Sequence, residues 1–261
     1  MKYRLFAFGC SYTRYRYPTW ADYLGVEFEE YYNYGRSGSS NTYIMNKFVE
    51  AMLHFNFSKT DMVVIMLTGF GRFSYIDKES SHWMTLGDLY YYIDNTKNPV
   101  LSNFVNHMFS DDFAVYQSWV AAKTIKKILT LQEIPHKIFM SIDNSMYFTD
   151  TVNLSAKTIQ KTNEVYEMLD YKTTFDEWKQ LKPENNQYPI WLNNEWDGHP
   201  SLHSHYVFFK EQFKNYPDKK AIELKNYWEK NFDARTPTHQ GNKFEEEFVS
   251  KYNLASKITL Y

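Results

Sequence analysis

The apolar residues of this chain fall into short buried runs separated by amphipathic stretches. Lys2 to Phe8 alternates and then runs apolar, and 61–67, Asp-Met-Val-Val-Ile-Met-Leu, is apolar almost throughout; both read as buried strands. Glu27 to Tyr32 and Lys137 to Ile142 are read as two further strands. Between them the period lengthens to that of a helix. Thr19 to Leu24 is a short helix ended by Gly25, and Thr42 to Phe55 places Ile44, Phe48, Ala51, Met52 and Phe55 on one stripe. A long helix runs from Asp111 to Leu131, capped at Ser110 and Asp111, with Val115, Trp119, Ala122, Ile125 and Leu129 on its apolar side. Residues 73–110 read as an aromatic insertion with short helices. Further helical segments are expected at about Ser155 to Leu181, His203 to Phe213, 217–231 (lysine- and glutamate-rich, expected to be exposed) and Gly241 to Tyr252. Strand and helix in alternation predict an α/β fold, a three-layer α/β/α sandwich with a mainly parallel central sheet of the flavodoxin-like kind. The whole chain is read as one domain, with the insertion at 73–110 and a helical extension from 214 to 261.

Composition narrows the function classes. Of 261 residues 19% are aromatic, with 23 Tyr and 20 Phe, enough for rings to fill the core and also line a surface. Nine Gly and eight Pro are too few for a loop-rich all-β chain. A net charge of −2 with interspersed signs gives no electrostatic footprint for nucleic acid or an anionic membrane, so neither is expected as a partner. The single cysteine, Cys10, excludes an internal disulfide and a multi-cysteine zinc site. No signal-peptide pattern and no membrane-length apolar run is present, which points to a cytoplasmic protein or one carried in a virion.

The polar punctuation after the strands carries the candidate chemistry. In an open α/β sheet, ligands bind beyond the carboxyl ends of the strands. Ser11 follows the first strand in Phe6-Ala7-Phe8-Gly9-Cys10-Ser11-Tyr12-Thr13. A loop with two glycines, Asn33-Tyr34-Gly35-Arg36-Ser37-Gly38-Ser39-Ser40-Asn41, follows the second, and Thr68-Gly69-Phe70-Gly71-Arg72 the third. Asp197-Gly198-His199-Pro200-Ser201 lies near the C-terminus. Acyl transfer needs a nucleophilic oxygen, a base within hydrogen-bond reach and donors for the developing oxyanion, and these four segments offer them. Taken singly, Ser11 and Asn41 also suit helix caps, and His199 suits an ordinary loop. A metal site from Asp197, His199, His203 and His205 is disfavoured, because Pro200 holds His199 out of a helix. His239, in Arg235-Thr236-Pro237-Thr238-His239, is a second candidate base. The run Tyr12-Thr13-Arg14-Tyr15-Arg16-Tyr17 suits either a sugar or anion contact or a plain surface loop.

In this order the segments resemble the SGNH/GDSL hydrolase family, and within it a divergent branch of bacteriophage-encoded members. Gly9-Cys10-Ser11-Tyr12-Thr13 resembles its first block, with Cys10 where an acidic residue is usual. Asn33-x-Gly35-x-Ser37-Gly38 resembles the second, and Asp197-Gly198-His199-Pro200 the last. The resemblance implies Ser11 as nucleophile, His199 as general base and Asp197 as its orienter. It implies Gly38, or Gly35, as an oxyanion donor beside the Ser11 N–H, and no cofactor. The family's third block supplies an asparagine that this chain lacks at 68–72. Removing one such donor costs about 2.7–4 kcal/mol of transition-state stabilisation. Thr68, Asn41 or Arg72 is then the substitute, or turnover is slow or lost. Arg72, Tyr12 and Arg14 are the candidate substrate contacts. The function implied is an esterase for small acyl esters, above all O-acetyl groups on a carbohydrate; the alternative is a degenerate structural or glycan-binding protein, such as a phage-particle component.

Overall fold

The computed structural model describes residues 3–15, 17–142, 144, 154–175, 190–192, 195–197 and 199–231, giving the backbone alone at 90, 95, 190–192, 195–197 and 231. Its centre is a four-stranded, wholly parallel sheet of β1 (Arg4–Phe8), β2 (Glu30–Asn33), β3 (Met62–Leu67) and β6 (His136–Met140), in the order β2-β1-β3-β6. The chain steps from β1 to one side for β2, then crosses back to place β3 on the other. Strand order therefore reverses between β1 and β3, the position at which such sheets open a crevice.

Two-residue periodicity divides the strand side chains between two cores. Phe6, Phe8, Val63, Ile65 and Leu67 face one side, where α2 (Asn41–Phe55), α5 (Asp111–Leu131) and α6 (Ala156–Glu167) cover them. Leu5, Ala7, Met62, Val64 and Met66 face the other, under α1 (Trp20–Gly25), α7 (Leu202–Gln212) and α8 (Lys219–Asn231). The result is the expected three-layer α/β/α arrangement. α8 departs from expectation. It is helical as read, but Ala221, Leu224 and Trp228 are fully or almost fully buried in the first core, so this segment is not an exposed face. Their spacing of three and four residues is an apolar stripe that the surrounding charges mask.

The insertion also differs. It opens with an antiparallel hairpin, β4 (Arg72–Ile76) and β5 (Trp83–Asp88), before the short helices α3 (Leu89–Thr96) and α4 (Pro99–His107). Its turn uses no glycine or proline. The Asp77 carboxylate accepts from the Ser80 N–H and hydroxyl, both at 2.8 Å, and Ser81 takes the left-handed φ of 58°. A small satellite core of Leu89, Phe109 and Ala114, backed by Phe73, Leu86 and Phe104, holds the insertion down. The helical stretch from 155 ends at Glu167 rather than 181. A short hairpin of β7 (Ile190–Leu192) and β8 (Glu195–Asp197) precedes α7. The helix expected at Gly241 to Tyr252, and His239, lie outside the described residues.

Among the described residues, no helix is long and apolar enough to cross a membrane. None of them gather in a group suited to hold a metal ion.

Candidate active site

The site is built on the end of β1. Gly9 is required there because a Cβ would collide with Thr13 Oγ1 and stand 3.1 Å from the Met66 carbonyl of the neighbouring strand. After it the chain turns sharply, Thr13 and Arg14 both donating to the Cys10 carbonyl, at 3.0 and 3.2 Å. Cys10 points into the core, 3.7 Å from Ser141 Oγ. Ser11 is left at the crevice edge, 3% exposed.

Its hydroxyl lies 2.8 Å from Nε2 of His199, 188 residues away in sequence. The imidazole is clamped by rings from the segment following Ser11. Tyr15 stacks on it, with centroids 4.2 Å apart and planes within 18°, and Tyr12 meets it edge-on at 5.6 Å. Tyr17 donates its hydroxyl to the Pro200 carbonyl at 2.7 Å, tying the histidine's loop to the same segment. The run from Tyr12 to Tyr17 thus holds the histidine. Tyr12 is buried against Phe175 and His199, so its ring is not offered to a ligand. The sequence offers these tyrosines as ligand contacts or as a plain surface loop; that His199 would come to lie between Tyr12 and Tyr15 depends on a contact across most of the chain. Asp197 closes β8 two residues before His199; its side chain lies outside the described residues, as does Arg16.

The loop after β2 reaches the same edge. Ser39 Oγ and the Arg36 N–H both donate to the Gly9 carbonyl, at 3.0 and 3.1 Å. Gly35 approaches Arg14 so closely that a Cβ would sit 2.7 Å from the Arg14 nitrogen. The Gly35 N–H is committed to Asn33 Oδ1 at 2.9 Å, and is not available to an oxyanion. Asn33 in turn donates to the Thr13 carbonyl (2.9 Å) and the Tyr31 hydroxyl (2.6 Å), which itself donates to Asp22. Burial, with Asp22 beside it, pushes the Tyr31 phenol well above its ordinary range, so it remains a donor. Gly38 is different. It has φ +73°, and its carbonyl accepts from Gly87 of the inserted hairpin at 2.9 Å. Among the described residues the N–H groups of Gly38 and Ser11 have no hydrogen-bond partner.

Of the remaining donor candidates, Asn41 is occupied. Asn41 Nδ2 donates to the Thr68 carbonyl (2.9 Å) and to Ser118 Oγ (3.0 Å), and its Oδ1 accepts from the Thr68 N–H at 2.8 Å. Asn41 therefore fastens the end of β3 to α2 and α5, and neither amide hydrogen is left over. The Thr68 hydroxyl is buried without a partner among the described residues. Asn144 plays a similar part, accepting from the Phe70 N–H at 2.7 Å. Arg72 begins β4 and is one of the residues lining a cavity between the hairpin and α5, its Nε 3.9 Å from the place a Gly69 Cβ would take, and Arg14 is partly exposed beside Gly35.

Fold and geometry define an α/β protein with a serine–histidine pair at the switch point of a parallel sheet; the Ser11 N–H, and the Gly38 N–H of the loop that reaches the same edge, have no partner among the described residues. Such a pair is the working part of enzymes that transfer acyl groups through serine. No family model matches the chain, and no curated protein matches it. Among solved structures, it is similar to a member of the lipolytic protein G-D-S-L family from Veillonella parvula DSM 2008. The two share 14% identity at a TM-score of 0.43, over 81% of this chain and 97% of that one.

Proposed function

We propose that this protein is a serine hydrolase of the SGNH kind acting on small acyl esters. The observation that carries the proposal is the 2.8 Å contact of Ser11 Oγ with His199 Nε2 at the end of β1. In the reaction, Ser11 Oγ attacks the ester carbonyl and its proton passes to Nε2, which requires the neutral imidazole to carry its own proton on Nδ1. Asp197 is the residue placed in sequence to accept that Nδ1 hydrogen and stabilise the imidazolium. The Ser11 and Gly38 N–H groups receive the oxyanion. Collapse of the intermediate breaks the ester C–O bond, and His199 returns the proton to the departing alcohol. A water deprotonated by His199 then attacks the acyl-serine, releasing the carboxylic acid and restoring Ser11. An O-acetyl group on a carbohydrate is the substrate proposed, as the resemblance of the sequence blocks to the SGNH/GDSL family implies.

A second reading is a protein that keeps the crevice for binding a glycan or protein without turnover. It is favoured by one observation: Asn41, the asparagine nearest the third strand, has no donor to offer. Hydrolysis of p-nitrophenyl acetate by the wild type and by Ser11→Ala, with labelling by a fluorophosphonate and mass mapping, separates the two. The proposal expects Ser11-dependent release and a label on Ser11. A wild type no faster than Ser11→Ala, and unlabelled, overturns it in favour of the binding protein.

A further inference from the structure

We propose that the cavity between the inserted hairpin and α5 binds a small organic carboxylate, with the Arg72 guanidinium as its anchor. The cavity has a volume of about 130 Å³. A cavity of similar size lined by Leu, Ile and Phe holds one benzene ring. Phe70, Phe73, Phe109 and Phe113 supply aromatic walls, and Phe113, 38% exposed, leaves it accessible from solvent.

The polar groups around the cavity are mostly matched to one another. Asn41 is tied to Thr68 and Ser118, and Ser74 Oγ accepts from the Ser40 N–H at 3.0 Å. Arg72 is not. Among the described residues its guanidinium has no hydrogen bond or ion pair, and no carboxylate lines the cavity. Asp88, its register partner across the hairpin, makes no ion pair with it and instead caps α3 through the Tyr91 N–H at 3.0 Å. A half-buried guanidinium at the wall of an aromatic cavity, with no counter-charge among the described residues, suits a planar, bidentate acceptor. The four rings select an apolar body behind that carboxylate over a bare inorganic anion. The Ser40–Ser74 bond joins this cavity to the loop that carries Gly38, so an occupant braces that loop. The site stands whether or not Ser11 turns over an ester.

The test is calorimetric titration of the full chain with benzoate, benzamide and inorganic phosphate, on the wild type, Ser11→Ala, Arg72→Gln and Phe113→Glu. The proposal expects saturable benzoate binding that Ser11→Ala leaves unchanged. Arg72→Gln weakens it by about tenfold to a hundredfold, the worth of a charge-assisted pair. Phe113→Glu, a change at an exposed position, weakens it by placing a negative charge at the mouth. Benzamide and phosphate bind more weakly than benzoate. Three outcomes overturn it: no saturable benzoate binding, benzamide or phosphate binding as tightly, or affinity unchanged by Arg72→Gln. None of these measurements needs turnover, so their failure is distinct from failure of the hydrolase reading.

Discussion

Replacing Gly38 by alanine tests the oxyanion loop without touching Ser11 or His199. The residue has φ +73°, and an added Cβ would stand 2.7 Å from the Thr85 carbonyl and 3.0 Å from the Gly87 nitrogen. Both neighbours are hairpin backbone, which cannot swing aside as a side chain can. A left-handed alanine costs about 1–2 kcal/mol, and forcing apart a packed contact adds about 1–3 kcal/mol. Relief comes by moving the loop away from the hairpin, which carries the Gly38 N–H with it. Loss of one oxyanion donor costs roughly 10²–10³ in kcat. Gly87 supplies the control, because it has φ +74° with nothing within 4 Å of its would-be Cβ. Gly87→Ala bears the backbone cost alone. Thermal melts and p-nitrophenyl acetate kinetics of the two variants are the assay. Gly38→Ala is expected to be the less stable and to lose at least about a hundredfold in kcat, whereas Gly87→Ala keeps most of its activity. Equal melting points together with equal kcat in the two variants would refute the reasoning, since the clash and the donor role would both be absent.

Tyr15→Ala removes the ring stacked on His199; a stacked pair is worth about 0.5–1.5 kcal/mol, so kcat is expected to fall about two- to tenfold with KM little changed. Tyr15→Phe keeps the stacked face and is expected to retain more of the rate than Tyr15→Ala; a rise in KM with kcat unaltered in Tyr15→Ala would reject this. Trp228→Ala is expected to lower unfolding stability by about 3–5 kcal/mol in a denaturant titration, as truncation of a buried ring does; an unchanged midpoint would show that α8 is not part of the core. His203 is held below its ordinary pKa by burial and by Lys225. The unfolded chain therefore binds the extra proton first, so stability is complete above about pH 6.5 and declines as pH falls from there toward the folded pKa. His203→Gln should flatten that acid limb in melts across the range, and an unaltered slope would exclude His203 as its source.

What the sequence by itself determined is what short-range periodicity and local backbone chemistry encode. Val63-Val64-Ile65-Met66-Leu67, short and rich in β-branched residues, reads as a strand buried on both faces, and the stripes of α2 and α5 follow from their own spacing. The glycine at position 9 and the serine after it mark a strand end wherever they fall. The stripe of Ala221, Leu224 and Trp228 was equally present, but charged neighbours outnumber it, and only packing against α1 and α7 shows which face counts. Tertiary structure alone decided the partners. The inserted hairpin lacks turn glycines and becomes legible only through Gly87 donating to Gly38. Asn41 and Gly35 looked like donors because their residue types are donors; their hydrogens go to Thr68, Ser118 and Asn33, choices set by loops that meet in three dimensions. The same holds for Tyr15, which a local reading places on the surface and the fold lays against His199. Hydrogen bonds and ring stacking act over a few ångströms, whereas these pairs are separated by up to 188 residues of chain, so the pattern can name the candidates and only the folded chain can match them.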